Sequence, residues 1–415
     1  MDGQSSDVNT YDVIVIGGGA SGFFTAINCK QKAPHLKVAI LEKSNKVLAK
    51  VKISGGGRCN ITHAEFIPKE LSTNYPRGQK ELLGPFHTFM TGDTMEWFEQ
   101  RNVPLKIEND GRIFPVSNSS QQIIDCFLAE AKSLDIPIYT KQNVKQIEFE
   151  DSYWKIHTPE KEYSTQKLVI ATGSSPGIWK LLSRLGLDTE PPVPSLFTFD
   201  CPEKEVHNLA GISRNVQIKI PGTKLVNDGA LLFTHWGFSG PAVLKLSAWG
   251  ARILHEKDYQ FQIAINWLPD YSEDELFDLF KKFKQTHRTQ KLKTPPFDFQ
   301  KRFWPFILNR CGLSIDLLWE QLSEKKLRQL IYLLRMDTYQ IKGKSTFKEE
   351  FVTAGGVALH EIHFKTFEAK KHPGLYLVGE VLNVDAVTGG FNFQNAWTSG
   401  YIAAQAIANV VDVRS

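Results

Sequence analysis

The sequence predicts an α/β protein whose main domain is split by a long insert. Three observations carry this expectation. A short apolar run rich in β-branched residues, "YDVIVIG" (residues 11–17), leads directly into a glycine-rich turn and a helical pattern. At "DTEPPVPS" (residues 188–195) the texture becomes proline-rich, then alternating. From about Phe351 it returns to apolar strands and a closing helix. The expected layout is a discontinuous α/β domain, 1–190 plus 346–415, around an insert, 191–345.

Each element has its own reason. "YDVIVIG" reads as a strand buried on both faces. "ASGFFTAINCKQKA" carries apolar residues at helical spacing and stops before Pro34. "KVAIL" (residues 37–41) is a second buried strand ending at Glu42, which completes one right-handed βαβ unit. "KLVIATG" (residues 167–173) is a further buried strand ending in a turn. In the insert, "NVQIKI" and "YQFQIAIN" alternate as half-exposed antiparallel strands do. Ser272 with Glu275 forms a capping box for "EDELFDLFKKF", and Ser323 is an N-cap for "EKKLRQLIYLLRM". "GLYLVG" and "QNAWTSGYIAAQAIANVV" supply the closing strand and helix.

Composition narrows the class. The 415 residues are 42% hydrophobic and 23% charged, ordinary values for a soluble globular protein. No run of eighteen apolar residues suggests a membrane span. The polar opening "MDGQSSDVNT" has no apolar core of a secretory signal. Five scattered cysteines without a C-x-x-C pair argue for reduced thiols in a cytoplasm, against a disulfide frame or a structural zinc. A net charge of +4 permits an anionic partner without requiring one.

Gly17-x-Gly19-x-x-Gly22, with Ala20 and Ser21 inside it, follows a strand and opens a helix. Glu42, with Lys43 after it, stands twenty residues past Gly22 at the end of the next strand. That is the dinucleotide fingerprint of a Rossmann-type unit: tight turn, close approach to a pyrophosphate, helix N-terminus for the anion, acid for the ribose. A nicotinamide enzyme needs only this unit and a substrate domain. A flavoprotein of the two-dinucleotide-fold class also needs C-terminal residues returning to the flavin. "LVGEVLNVDAVTGGFNFQNAW" (residues 377–397) supplies them, so FAD is preferred. No second fingerprint follows a strand, so NAD(P)H as reductant is expected to visit the open face of the ring.

The stretches "ISGGGRCNITH", "DGRIFP", "LLFTHWGFSGPAVLKLS", "VTAGGVALHEI" and "GLYLVGEVLNVDAVTGGFNFQNAWTSGY" resemble the BaiN/RdsA flavoprotein family, also labelled aminoacetone-oxidase-like. The resemblance spans nearly the whole chain. It implies an FAD-binding Rossmann-type domain with an inserted β-barrel and helical region. It implies Gly17, Gly19, Gly22 and Glu42 at the adenosine side, and Gly379, Glu380, Asp385, Gly390, Asn392 and Phe393 at the flavin side. Ala171, Thr172 and Gly173, the turn after the third buried strand, join the expected cofactor lining. Two departures stand out: "ATGSSPGIWKLLSRLG" replaces a longer loop at the mouth of the substrate site, and Asn383 stands where the family favours Asp.

The second glycine triplet, "SGGGRCN" (residues 54–60), falls where an extended FAD carries its ribityl chain and ring. Gly55, Gly56 and Gly57 would let backbone amides approach the cofactor. Arg58 would offset negative charge, and Asn60 would bond polar ring atoms. Cys59 has two readings of equal weight: a small residue packed beneath the loop, or a thiol of lowered pKa that delivers a proton.

No metal is expected: "HEIH" (residues 360–363) lacks the spacing of a zinc helix. "GFSGP" lacks the last glycine of a hydrolase elbow, and Pro241 reads as a first helical residue. Between residues 281 and 302, Lys281, Lys284, Arg288 and Lys291 belong to a basic run interleaved with Phe283, Phe297 and Phe299. A solvated face is the ordinary reading of such a run, and a footprint for ribosomal RNA the sharper one. The expected activity is FAD-dependent reduction of an unsaturated substrate with NAD(P)H. The resemblance points to a uridine C5=C6 bond in ribosomal RNA, giving dihydrouridine, or to a small-molecule enone. An RNA-binding or assembly factor with a structural flavin is the non-enzymatic rival.

Overall fold

The structure is a computed structural model that describes residues 9–345 and 352–412. The polar opening (residues 1–8) and the expected return point at residue 346 lie outside the described residues. Contacts divide the chain into two units, Met1–Val193 with Val352–Ser415, and Pro194–Phe351.

The first unit is built on a mixed sheet with a parallel centre. Strand Asn9–Ile16 lies between Val38–Leu41 and Glu162–Ile170, parallel to both. Leu375–Leu377 extends the sheet beyond Glu162–Ile170, and Ile138–Tyr139 beyond Val38–Leu41, again in parallel. Val13, Ile14, Val15 and the run Val38–Leu41 are all buried, as strands covered on both faces require. Helix Ala20–Lys32 packs on helix Phe391–Asp412, so the two ends of the unit meet in one layer. Phe24 lies between Trp97 and Trp397, with ring centroids at 4.6 and 5.2 Å. Off the main sheet, Thr62–His63, Arg112–Pro115 and Leu105–Ile107 form a small antiparallel sheet.

The second unit is an antiparallel sheet with six described α-helices, among them the three expected from the sequence. Its strands run Asp337–Lys342, Gln260–Asn266, Ser213–Lys219, Val226–Phe233, Gly237–Ser239, Thr198–Asp200, Lys344–Ser345 in spatial order. The first and last of these are one segment interrupted at Gly343. It pairs with Gln260–Asn266 on one side and Thr198–Asp200 on the other, which closes the sheet into a barrel. Both helix starts read from the sequence hold. The Ser272 amide donates to Glu275 at 2.8 Å, and the Ser323 hydroxyl accepts from the Lys326 amide at 3.3 Å. Pro241 is the first residue of helix Pro241–Trp249.

Candidate functional site

The carboxyl edge of the parallel sheet gathers the glycine turns. The Gly17 amide donates to Leu41 O at 2.8 Å, and the Ala171 amide to Ile16 O at 2.8 Å, so the ends of three strands are locked together. A Cβ added at Gly17 would lie 2.4 Å from Ala171 O, and one at Gly22 only 1.9 Å from Gly17 O. Gly19 differs. Nothing lies within 4 Å of its Cβ position, which leaves open space at the start of helix Ala20–Lys32.

Glu42 has two employments already. Its Oε2 accepts the Gly18 amide and its Oε1 the Ser44 amide, both at 2.8 Å. This fixes the carboxylate beside the turn and leaves each oxygen one further lone pair. Lys43 is exposed beside it. Gly379 meets the same turn: its Cβ position is 2.9 Å from Ser21 Oγ, and its amide donates to Ser399 Oγ at 3.0 Å. Glu380 accepts from Lys50 Nζ at 2.9 Å, and the Gly173 Cβ position is 3.6 Å from the Glu380 carboxylate. Ser21, Gly173, Gly379 and Glu380 thus converge with the first turn, as does Ala171. Thr172 bridges Ala171 to Gly173 on the same strand end.

A second cluster surrounds the start of helix Phe391–Asp412. A Cβ at Gly390 would lie 2.7 Å from the Thr62 backbone. Trp397 Nε1 donates to Ile61 O at 2.9 Å, and Thr62 and Thr94 hydroxyls both reach Gln394 Oε1. Asn392 clamps its own loop, accepting the Ala386 amide at 3.0 Å. Phe393 stacks on Trp397 with centroids 5.4 Å apart. Asp385 is buried and forms a two-pronged ion pair with Arg77, so its carboxylate serves the protein's own guanidinium.

The second triplet is not a plain loop. Helix Ala49–Gly57 is broken at Ser54, and Gly55, Gly56 and Gly57 turn with φ of 56, 67 and 84°. Two expectations for its neighbours need correction. Arg58 is not a free counter-charge: it is ion-paired with Glu108, donates to Asn118 at 2.8 Å and stacks on Phe114. Arg58 in return holds the Glu108 carboxyl below its ordinary range. Cys59 is not a thiol of lowered pKa: it is fully buried, and burial pushes it up to about 12 against a weaker opposing bond from Ser54. Packing is what the structure gives it. Asn60 is nine-tenths buried, and its Oδ1 has no partner among the described residues.

The basic run also changes. Lys291 pairs with Asp316 at 2.8 Å, Arg288 with Glu320 at 3.6 Å, and Lys284 Nζ donates to Leu322 O. Lys281 is exposed, and its nearest ring is Phe277 at 6.0 Å. Phe299 is buried in the unit's core, and Phe283 and Phe297 pack against it. The interleaved rings are therefore core, not a stacking surface. Asp188, His360 and Glu361 bring possible ligand atoms within 4.8 Å of one another, but Glu361 already takes Lys371 Nζ at 2.7 Å. No described helix is long and apolar enough to cross a membrane.

Sequence reasoning missed Lys50, Arg77, Glu108 and His63. Nothing local marks the first three, whose partners are 330, 308 and 50 positions away. His63 stood in plain view as the end of "GGGRCNITH".

Fold and site define the class, an FAD-binding oxidoreductase of Rossmann type. The chain belongs to the family described as "HI0933-like protein Rossmann domain", whose model matches residues 11–406. It is 30% identical over 412 residues to the ribosomal RNA dihydrouridine synthase of Escherichia coli, covering 95% of this chain and 97% of that protein. It is 26% identical over 408 residues to the 3-dehydro-bile acid delta(4,6)-reductase of Clostridium scindens, covering 95% and 98%. Among solved structures, a Rhodococcus jostii 3-ketosteroid-delta4-(5alpha)-dehydrogenase superposes with a TM-score of 0.52 at 12% identity, over 98% of both chains. At that identity the likeness concerns the fold alone.

Proposed function

We propose that this protein takes hydride from NAD(P)H on a bound FAD and reduces the C5=C6 bond of a uridine in ribosomal RNA. The observation that carries the reading is the end-to-end similarity to two proteins named ribosomal RNA dihydrouridine synthase, at 30 and 28% identity.

The residues fit the cofactor. Gly19 leaves open the space a pyrophosphate needs, and the buried Asn60 Oδ1, Asn383 Oδ1 and Asn395 amide atoms have no hydrogen-bond partner among the described residues, as groups that face a ligand would. In this reading Gly17, Gly19, Ala20, Ser21 and Gly22 hold the pyrophosphate, and Glu42 takes the ribose with its remaining lone pairs. Gly57, Asn60, Gly379, Gly390 and the first turn of helix Phe391–Asp412 line the flavin end, where a helix N-terminus favours negative charge. Bound FAD supplies two-electron storage between the reductant and the substrate. The protein excludes water, orients the substrate and delivers the proton. A base buried in a duplex stack cannot reach such a site, so loosened or single-stranded RNA is the form accepted.

The second reading, reduction of a small-molecule enone, is favoured by one observation. Three of the four cations assigned to RNA already have partners within their own unit. Nucleoside analysis of ribosomal RNA from a strain lacking the protein separates the two. Loss of one dihydrouridine supports the RNA reading; an undiminished content overturns it in favour of the enone.

A further inference from the structure

We infer that His63 is the side chain that delivers the proton in the reduction proposed above, on which this assignment rests. Saturating a C=C bond takes a hydride on one carbon and a proton on the other. In that reading the hydride comes from NAD(P)H, and the proton comes from a side chain or from water; a placed side-chain acid speeds the step. Around the start of helix Phe391–Asp412 most titratable groups are committed. Asp385 is held by Arg77, Cys59 is buried, and the buried Tyr75 hydroxyl donates to Phe391 O.

His63 is held differently. Its Nδ1 lies 3.1 Å from Gly389 O, and a carbonyl can only accept, so Nδ1 carries a hydrogen. That leaves Nε2 with no hydrogen-bond partner among the described residues. The ring is half-buried and stacks on Phe391 with centroids 4.7 Å apart.

Two turns make room for it. A Cβ at Gly111 would lie 2.6 Å from Nε2, and one at Gly389 would lie 3.1 Å from Nδ1. The imidazole is therefore cradled by three separate motifs, "CNITH", "DGR" and "TGG". The charged groups on the packed elements are few. Arg112, opposite His63 in the small sheet, is paired with Asp110 at 2.7 Å and lies 3.8 Å from Glu108. Asp93, on the helix whose Thr91 bonds His63 O, accepts the Met90 amide. The first turn of helix Phe391–Asp412 carries no acid.

The step balances simply. Nε2–H gives its proton to the carbon opposite the hydride, the ring becomes neutral, and solvent protonates it again.

His63→Asn keeps an N–H donor for Gly389 O but removes the acid. FAD-loaded wild type and variant are reduced with dithionite and mixed without air with ribosomal RNA from a strain lacking the protein. Reoxidation at least about a hundredfold slower in the variant, with flavin content retained, is the expected result. A wild-type rate in His63→Asn overturns the assignment. A second readout needs neither turnover nor a variant: ¹⁵N NMR of histidine-labelled, FAD-free protein should show His63 in the Nδ1–H form. A neutral ring with its one hydrogen on Nε2 overturns the assignment independently. If the wild type itself is not reoxidised by the RNA, the substrate reading fails, and the same comparison is made with a small-molecule enone as oxidant, where a wild-type rate in His63→Asn overturns the assignment.

Discussion

The two glycine turns of the first unit do different physical work. In the first, Gly17 and Gly22 are demanded by the protein itself, because any Cβ would enter the Ala171 or Gly17 carbonyl at 2.4 or 1.9 Å. In the second, a Cβ added at Gly56 or Gly57 would meet nothing within 4 Å, and only their left-handed φ asks for glycine. Gly19 joins the second kind in its open space, although it sits in the first turn. Glycine count therefore marks two things that sequence cannot separate: close packing of chain on chain, and room kept for something else.

Substitutions can break that contrast. Gly22→Ala should be the most damaging, with a loss of about 3 kcal/mol or more, since backbone must move to admit the methyl. Urea unfolding of FAD-free protein measures it, and a near-neutral result would remove the packing half of the comparison. Gly19→Val should leave FAD-free stability nearly unchanged yet weaken FAD at least about a hundredfold, roughly 2.7 kcal/mol. Flavin titration followed by fluorescence reads this; tight FAD binding in the variant would empty the open space of meaning.

Gly56→Ala meets no neighbour, so its cost is the left-handed backbone alone, about 1 kcal/mol. A loss as large as that of Gly22→Ala would show that the second turn is packed after all. The smallest effect is expected at Cys59. Cys59→Ala should keep turnover within about twofold, measured as flavin reoxidation. The buried thiol also predicts a pH effect. Its pKa rises from 9.0 to about 12, so the folded state keeps a proton that the unfolded chain releases. The stabilisation is complete below about pH 9 and lost as pH climbs towards 12. Wild type should therefore lose stability across that range faster than Cys59→Ala, in unfolding titrations.

What was legible in the sequence was what is local. The βαβ fingerprint, the capping boxes at Ser272 and the proline start at Pro241 each need only a few consecutive residues, and each was found where expected. Arg58 was misread because Glu108, which neutralises it, comes fifty positions later on a hairpin. The run at 281–302 shows its charges in sequence but not Asp316 and Glu320, which answer them. Cys59 beside an arginine had two readings of equal weight, packing or a reactive thiol. Burial, which sequence does not display, decides for packing.

The paired strands Thr189–Ser195 and Val352–Val357 carry the chain out of the first unit and back. They run so close that a Cβ at Gly355 would lie 2.8 Å from Pro192 Cα. Departure and return are thus neighbours, like the two cut ends of a plasmid. A module spliced in at such a point need not disturb the host's hydrogen-bonding order, because the gap it leaves is one strand spacing wide. The barrel unit is in that sense a cassette: exchange of residues 194–351 for another module needs only two junctions, which lie side by side, and a short linker from residue 193 to 352 would seal the host without it.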